Sequence, residues 1–168
     1  MAYESESFKE HHLTRLPVLD ALLKLGWERN QIICPSPESE DTEWFVPKSP
    51  SEATNREAKR KFKGFPVDIA LFDDVEYVGD YEHIVALIEC KEPSKTEGIS
   101  QLKIYLGLEP HTRIGIWTNG SEFVRVYKLP TAGSFKVVEG SNLPKPDENM
   151  ILAGDERITY CLLYTSPS

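Results

Sequence analysis

Asp68, Glu89 and Lys91 are the residues of this 168-residue chain whose types and spacing could do chemistry. The stretch IVALIECKEPSKTEGISQLKIYL, residues 84–106, sets Glu89 and Lys91 two apart at the end of an apolar run. Side chains alternate along a strand, so Glu89 and Lys91 share one face while Ile88 and Cys90 take the other. Asp68 lies upstream in FPVDIALF, flanked by Val67 and Ile69. If the two runs pair as a hairpin, Asp68 and Glu89 come together at one end of a sheet. Two carboxylates converging in a partly dry place repel each other and call for a cation between them. Carboxylate oxygens suit Mg²⁺, with Mn²⁺ as its stand-in, because this ion binds through one or two acids and completes its shell with water and phosphate oxygens. A lysine beside it can position and help deprotonate an attacking water and steady the charge of the transition state. Gln101 and Tyr105, four apart, share a helix face from which an amide and a phenol could reach the lysine or a phosphate. The set describes metal-assisted hydrolysis of a phosphodiester. The competing reading is a plain Glu–Lys ion pair at a strand end, which contributes little when exposed.

These residues need elements to hold them. Residues 6–25 have leucines 13, 16, 19, 22 and 23 at helical spacing, with Gly26 as a stop, and Pro17 predicts a kink or a start near Leu16. NQIICP reads as a first short strand and residues 35–49 as loop. Ser49, Pro50 and Glu52 form the signature of a capped helix start, and the helix EATNREAKRKF is expected to follow. FPVDIALF and HIVALIEC read as strands, residues 97–108 as a helix, and RIGIWT and EFVRVYKL as a hairpin around Asn119–Gly120. The order predicts an α/β fold, a mixed central β-sheet flanked by helices. Residues 1–138 are expected to form one domain and 139–160 a linker toward a further domain.

The totals set limits. A net charge of −8 has the wrong sign for gripping nucleic acid by bulk electrostatics, so a local patch, a metal ion or a neighbouring domain would have to make the contact. The basic cluster Arg56, Lys59, Arg60, Lys61 and Lys63 just before Asp68 is one candidate patch; a solvated helix C-terminus is the alternative. No apolar run is long enough for a membrane span, and no secretory leader is evident, so a cytoplasmic protein is expected. The three cysteines, Cys34, Cys90 and Cys161, lack metal-ligand spacing and read as reduced thiols. The last eight residues, CLLYTSPS, back-translate to the start of a transposon-end adapter, so 161–168 are expected to be non-native, the alternative being a genuine C-terminal tail. The tryptophans Trp27, Trp44 and Trp117 are expected to pack rather than to stack on bases, and His11 and His12 to sit on a solvated helix face.

The residues resemble the PD-(D/E)xK nuclease superfamily, and more narrowly the N-terminal nuclease domain of type I restriction enzyme R subunits. The resemblance is carried by HLTRLPVLDALLKLGW, PVDIALF, IECK, QLKIY and IWTNG, and covers about residues 8–130. It implies a restriction-endonuclease-like fold in which Asp68 and Glu89 bind Mg²⁺ with the backbone carbonyl of Cys90. Lys91 would be the catalytic lysine, with Gln101 and Tyr105 supporting it and the DNA backbone. The family also places a glutamate on the opening helix just before a Thr-Arg. Here that stretch reads Glu10, His11, His12, Leu13, Thr14, Arg15, which makes Glu10 the candidate, offset by a residue. The implied function is a metal-dependent DNA endonuclease domain of a restriction–modification protein. Its implied partners are double-stranded DNA together with methyltransferase and specificity subunits, or a fused helicase or methyltransferase domain. From the basic cluster, independently of the resemblance, Lys59, Arg60, Lys61 and Lys63 are the candidate DNA contacts, a solvated helix end being the alternative. The rival functions are a catalytically inactive docking module on the same fold, and a nuclease of repair or recombination.

Overall fold

The computed structural model describes residues 10–35, 43–56, 64–131 and 133–150. In chain order these form a π-helical turn (His11–Arg15), α1 (Leu16–Lys24), β1 (Ile32–Ile33), β2 (Trp44–Val46), α2 (Pro50–Asn55), β3 (Phe65–Val67), β4 (Ile69–Phe72), β5 (Ile84–Cys90), α3 (Ile99–Leu108), β6 (Ile114–Thr118), β7 (Phe123–Lys128) and β8 (Phe135–Glu139).

Every residue of β5 is buried, as an unbroken apolar run with strands on both sides requires. It lies inside a six-stranded sheet of order β1-β4-β5-β6-β7-β8. The β5–β6 pair is parallel and the other four pairs are antiparallel. A parallel pair cannot be closed by a tight turn, and α3 supplies the crossover. One face of the sheet packs Ile69, Ala86, Ile88 and Ile116 with Val18, Leu22 and Trp27 from α1 and the turn after it. The other packs Ala70, Leu87 and Trp117 with Leu102, Tyr105 and Leu106 of α3. Helices therefore cover both faces of a mixed sheet, the expected α/β architecture, consistent with a restriction-endonuclease-like fold. The three described tryptophans are all buried, as packing residues should be.

Several local expectations change. The break at Pro17 takes the form of a π-helical turn running into α1, and Gly26 ends the helix with φ +111°. His11 is buried, with Nδ1 3.2 Å from Arg15 Nη1, so it does not lie on a solvated face; the same expectation for His12 falls outside what the structure describes. Part of the expected loop 35–49 is β2, which pairs antiparallel with β3 as a separate small sheet. FPVDIALF is thus two strands that leave for different sheets, with Asp68 at the bend between them.

Ser49 Oγ accepts the Glu52 N–H at 3.2 Å as a cap should, while the Glu52 carboxylate reaches back to the N–H of Lys48 rather than Ser49. The helix then stops at Asn55, well short of the expected run. Arg56 turns extended and buries its guanidinium against Glu109 Oε1 at 2.5 Å, between the rings of Trp44 and Tyr81. Glu109 takes the Trp44 indole N–H on its other oxygen at 2.7 Å. Arg56 is therefore a structural cation joining β2 to the end of α3, not a phosphate contact. Lys59, Arg60, Lys61 and Lys63 lie outside the described residues, as do residues 151–168 with their expected adapter-derived tail.

The segment read as a linker begins with the end of β8 and continues as chain packed on the domain. Leu143 and Met150 are buried, Trp27 Nε1 donates to Pro144 O at 2.8 Å, and Arg125 pairs with Glu148. No helix among the described residues is long and apolar enough to cross a membrane.

Gly115 is where α3 comes down on the sheet: a Cβ there would stand 2.9 Å from Leu102 Cγ and Leu106 Cδ1. Gly115→Ala is expected to destabilise the fold by about 1–3 kcal/mol through overpacking. Equilibrium urea denaturation measures this, and an unchanged midpoint would mean that α3 does not rest on this strand.

Candidate active site

The antiparallel register sets Ile69 opposite Ile88, so the next pair outward is Asp68 and Glu89. The bend that ends β3 turns Asp68 over the end of β5. Its Oδ2 accepts the Cys90 N–H at 2.8 Å and its Oδ1 accepts Arg15 Nη2 at 2.6 Å. The Asp68 side chain is 13% exposed. Glu89 is 5% exposed and lies directly against it.

Burial raises the Glu89 carboxyl well above its ordinary range, and the charge of Asp68 and a side-chain hydrogen bond with it raise it further; Lys91 and the Asp68 backbone pull the other way. The expected meeting of the two carboxylates is thus what the register produces. Lys91 leaves the strand end on the same side. Its N–H donates to Thr118 O at 2.8 Å and its carbonyl accepts the buried Thr14 hydroxyl at 2.7 Å, so the backbone on both sides of its side chain is pinned.

The loop that follows is shaped around the lysine stem. Gly98, with φ +119°, opens α3, and a Cβ there would stand 2.8 Å from Lys91 Cε and 3.1 Å from Trp117 Nε1. Only glycine fits both the backbone angle and the space. The loop is tied from the far side by Trp117 Nε1 donating to Glu97 O and Asn119 Nδ2 donating to Lys95 O, each at 2.8 Å.

From α3, Tyr105 is buried with its ring stacked on Phe65 at 5.4 Å. Burial pushes its phenol up to about 12, with Glu89 and Asp68 adding to the rise, and a hydrogen bond with Gln101 opposes it. Gln101 is exposed at the helix surface. Tyr105 is thus within electrostatic reach of the carboxylate pair, and Gln101 lies on the exposed side of the same helix.

Two functional neighbours are absent from the sequence reading, Thr14 and Arg15. They contact the site from 77 and 53 residues away, and a π-helical turn presents both consecutive side chains to the sheet end. The Thr-Arg of the opening helix was the available signal, but nothing local says which residues it touches. Glu10 stands half-buried at the start of this segment. Among the described residues no group of three or more His, Cys, Asp or Glu side chains is arranged to hold a metal ion. Cys34 and Cys90 are unpaired and buried, and burial pushes the Cys34 thiol up to about 11 and Cys90 well above its ordinary value. Both are packing thiols rather than nucleophiles.

Asp68 and Glu89 bring two hard oxygen donors together at the sheet end, the donor type that a divalent cation held by one or two acids takes. No family model matches the chain, and neither the curated proteins nor the solved structures contain a match to it.

The buried carboxyl has a consequence for stability. A carboxyl whose folded pKa lies above its unfolded value adds stability at low pH, which is lost as the pH rises through the folded pKa. The metal-free chain is therefore expected to lose thermal stability as pH climbs above 4.5, the ordinary value for Glu89. Glu89→Gln should remove much of that loss, so parent and variant are close in acid and the variant melts higher near neutral pH. Parallel melting curves across the range would refute the buried-carboxyl account.

Proposed function

We propose that the chain is a divalent-metal-dependent deoxyribonuclease domain, hydrolysing DNA phosphodiester bonds as part of a restriction–modification protein of the type I R-subunit kind. The observation that carries this reading is the β4–β5 register, which makes Asp68 and Glu89 the outermost pair at the sheet end from which Lys91 leaves. Asp68 and Glu89 would hold Mg²⁺, with the Cys90 carbonyl as a further oxygen donor. When bound, the ion supplies Lewis acidity at a phosphate oxygen and lowers the pKa of a coordinated water.

The chain's own residues do the rest. Lys91, with its backbone fixed by Thr14 and Thr118 and its stem laid against Gly98, would bring its ammonium to the carboxylates, where it can orient a water and offset charge developing on the phosphate. Tyr105 keeps its proton at neutral pH, because its pKa stands near 12, and so serves as a hydrogen-bond donor rather than a base. Gln101 holds that hydroxyl from the solvent side and offers its amide to the DNA backbone. Double-stranded DNA is the proposed substrate. Methyltransferase and specificity subunits, or a fused helicase or methyltransferase domain, are the proposed partners, and the cytoplasm the proposed location.

Cleavage and binding assays on duplex DNA test this. Lys91→Ala is expected to lower Mg²⁺-dependent cleavage at least about 100-fold while leaving duplex affinity within a few-fold. Equal cleavage by parent and variant would contradict the assignment of Lys91. Binding by both with cleavage by neither would favour a docking module on the same fold.

A further inference from the structure

Arg15 is built into the site more firmly than an incidental ion pair would be. Its side chain is 12% exposed, and its guanidinium is engaged from two directions. Nη2 donates to Asp68 Oδ1 at 2.6 Å, while Nη1 donates to Pro35 O at 2.8 Å and stands 3.2 Å from His11 Nδ1. The Nε is buried without a hydrogen-bond partner among the described residues. Burying an arginine this far is unfavourable unless its contacts are needed, and a surface pair would have served a purely electrostatic purpose.

The carboxylate it holds has its other oxygen on the Cys90 N–H, so Asp68 is fixed at both oxygens from the sides of the opening helix and of β5. The guanidinium is thus the hold on Asp68 Oδ1 from the opening-helix side. We propose that Arg15 is a positioning residue. Anchored by the Pro35 carbonyl, it fixes the Asp68 carboxylate in the orientation that faces Glu89, and thereby sets how tightly the pair takes a divalent cation.

This inference rests on the metal-site reading above, and it has a physical rival of opposite sign. A positive charge beside a ligand carboxylate repels an incoming cation, so an arginine acting only through its charge would compete with the metal and its removal would tighten binding. The tether at Nη1 favours positioning, because a guanidinium due to be displaced would not be held from behind. Partners that orient a metal ligand typically contribute 10–100-fold to metal affinity.

The test is calorimetric titration of Mn²⁺ into the 168-residue chain and its Arg15→Lys and Arg15→Gln variants, each checked for folding by circular dichroism. Both variants are expected to bind Mn²⁺ about tenfold or more weakly than the parent. Arg15→Lys should fail alongside Arg15→Gln, because it keeps the charge but lacks the planar fork. A purely structural arginine would lower the melting temperature and leave the Mn²⁺ affinity of the folded variants unchanged, which overturns the proposal, as does tighter binding by Arg15→Gln. A parent that binds no Mn²⁺ removes the metal-site reading itself and this inference with it.

Should the variants not fold, the parent decides the matter by NMR during a Mg²⁺ titration. An exchange-protected Arg15 Nη–H resonance that persists at saturating Mg²⁺ supports positioning. Its loss on metal binding overturns it.

Discussion

Two carboxylates pressed together at the end of a sheet are the constraint on which the rest of this structure depends. When both are ionised Asp68 and Glu89 repel, and Glu89 is buried enough that its ionised form is disfavoured on its own account. The pair persists because the backbone leaves it little freedom. Glu89 is fixed by a strand buried on both faces, and Asp68 by the bend that sends β3 and β4 into different sheets. The surrounding hydrogen bonds hold Asp68 in place: the Cys90 N–H on one oxygen and the Arg15 guanidinium on the other. Such an arrangement stores a demand for positive charge at one place on the surface of a chain whose net charge is −8.

The same constraint explains the investment in the elements around it. The loop after β5 is tied down at Lys95 and Glu97 by side chains from β6 and the turn beyond it, and Gly98 leaves room for the lysine stem. On the opening helix, Thr14 and Arg15 hold Lys91 and Asp68 respectively. The helix that carries Tyr105, α3, seats on Gly115, where no side chain keeps it off the sheet. Farther away, the buried Arg56–Glu109–Trp44 cluster locks the end of α3 to the small β2–β3 sheet from which Asp68 emerges. Removing one partner of a buried pair of this kind is strongly destabilising, since it strands the other charge.

What was legible in the sequence follows from range. Glu89 and Lys91 are two apart on one strand, so period-two alternation alone puts them on one face. The hairpin expected between FPVDIALF and HIVALIEC brings Asp68 to them, and β4 and β5 pair in that sense. Gln101 and Tyr105 follow from helical spacing. The missed features depend on contacts that no local pattern encodes. Arg15 and Thr14 act across 53 and 77 residues. β2 is three residues long within a stretch dominated by loop-forming residues, and β8 is a partly exposed edge strand of mixed polarity. Arg56 looked like one more cation of a basic cluster, and only its burial against Glu109 distinguishes it. Residues 140–150 have the composition of a linker, yet Leu143, Met150 and the Pro144 carbonyl anchor them to the domain.

The central claim is that Asp68 and Glu89 form one cation site rather than two ends of unrelated ion pairs. Its most direct test is calorimetric titration of Mn²⁺ into the parent chain beside Asp68→Asn and Glu89→Gln, in the presence of a non-cleavable DNA duplex to supply phosphate oxygen. The account predicts saturable binding by the parent and its loss in both folded variants. Binding that survives either substitution, or a parent that takes up no more Mn²⁺ than the variants do, would contradict it.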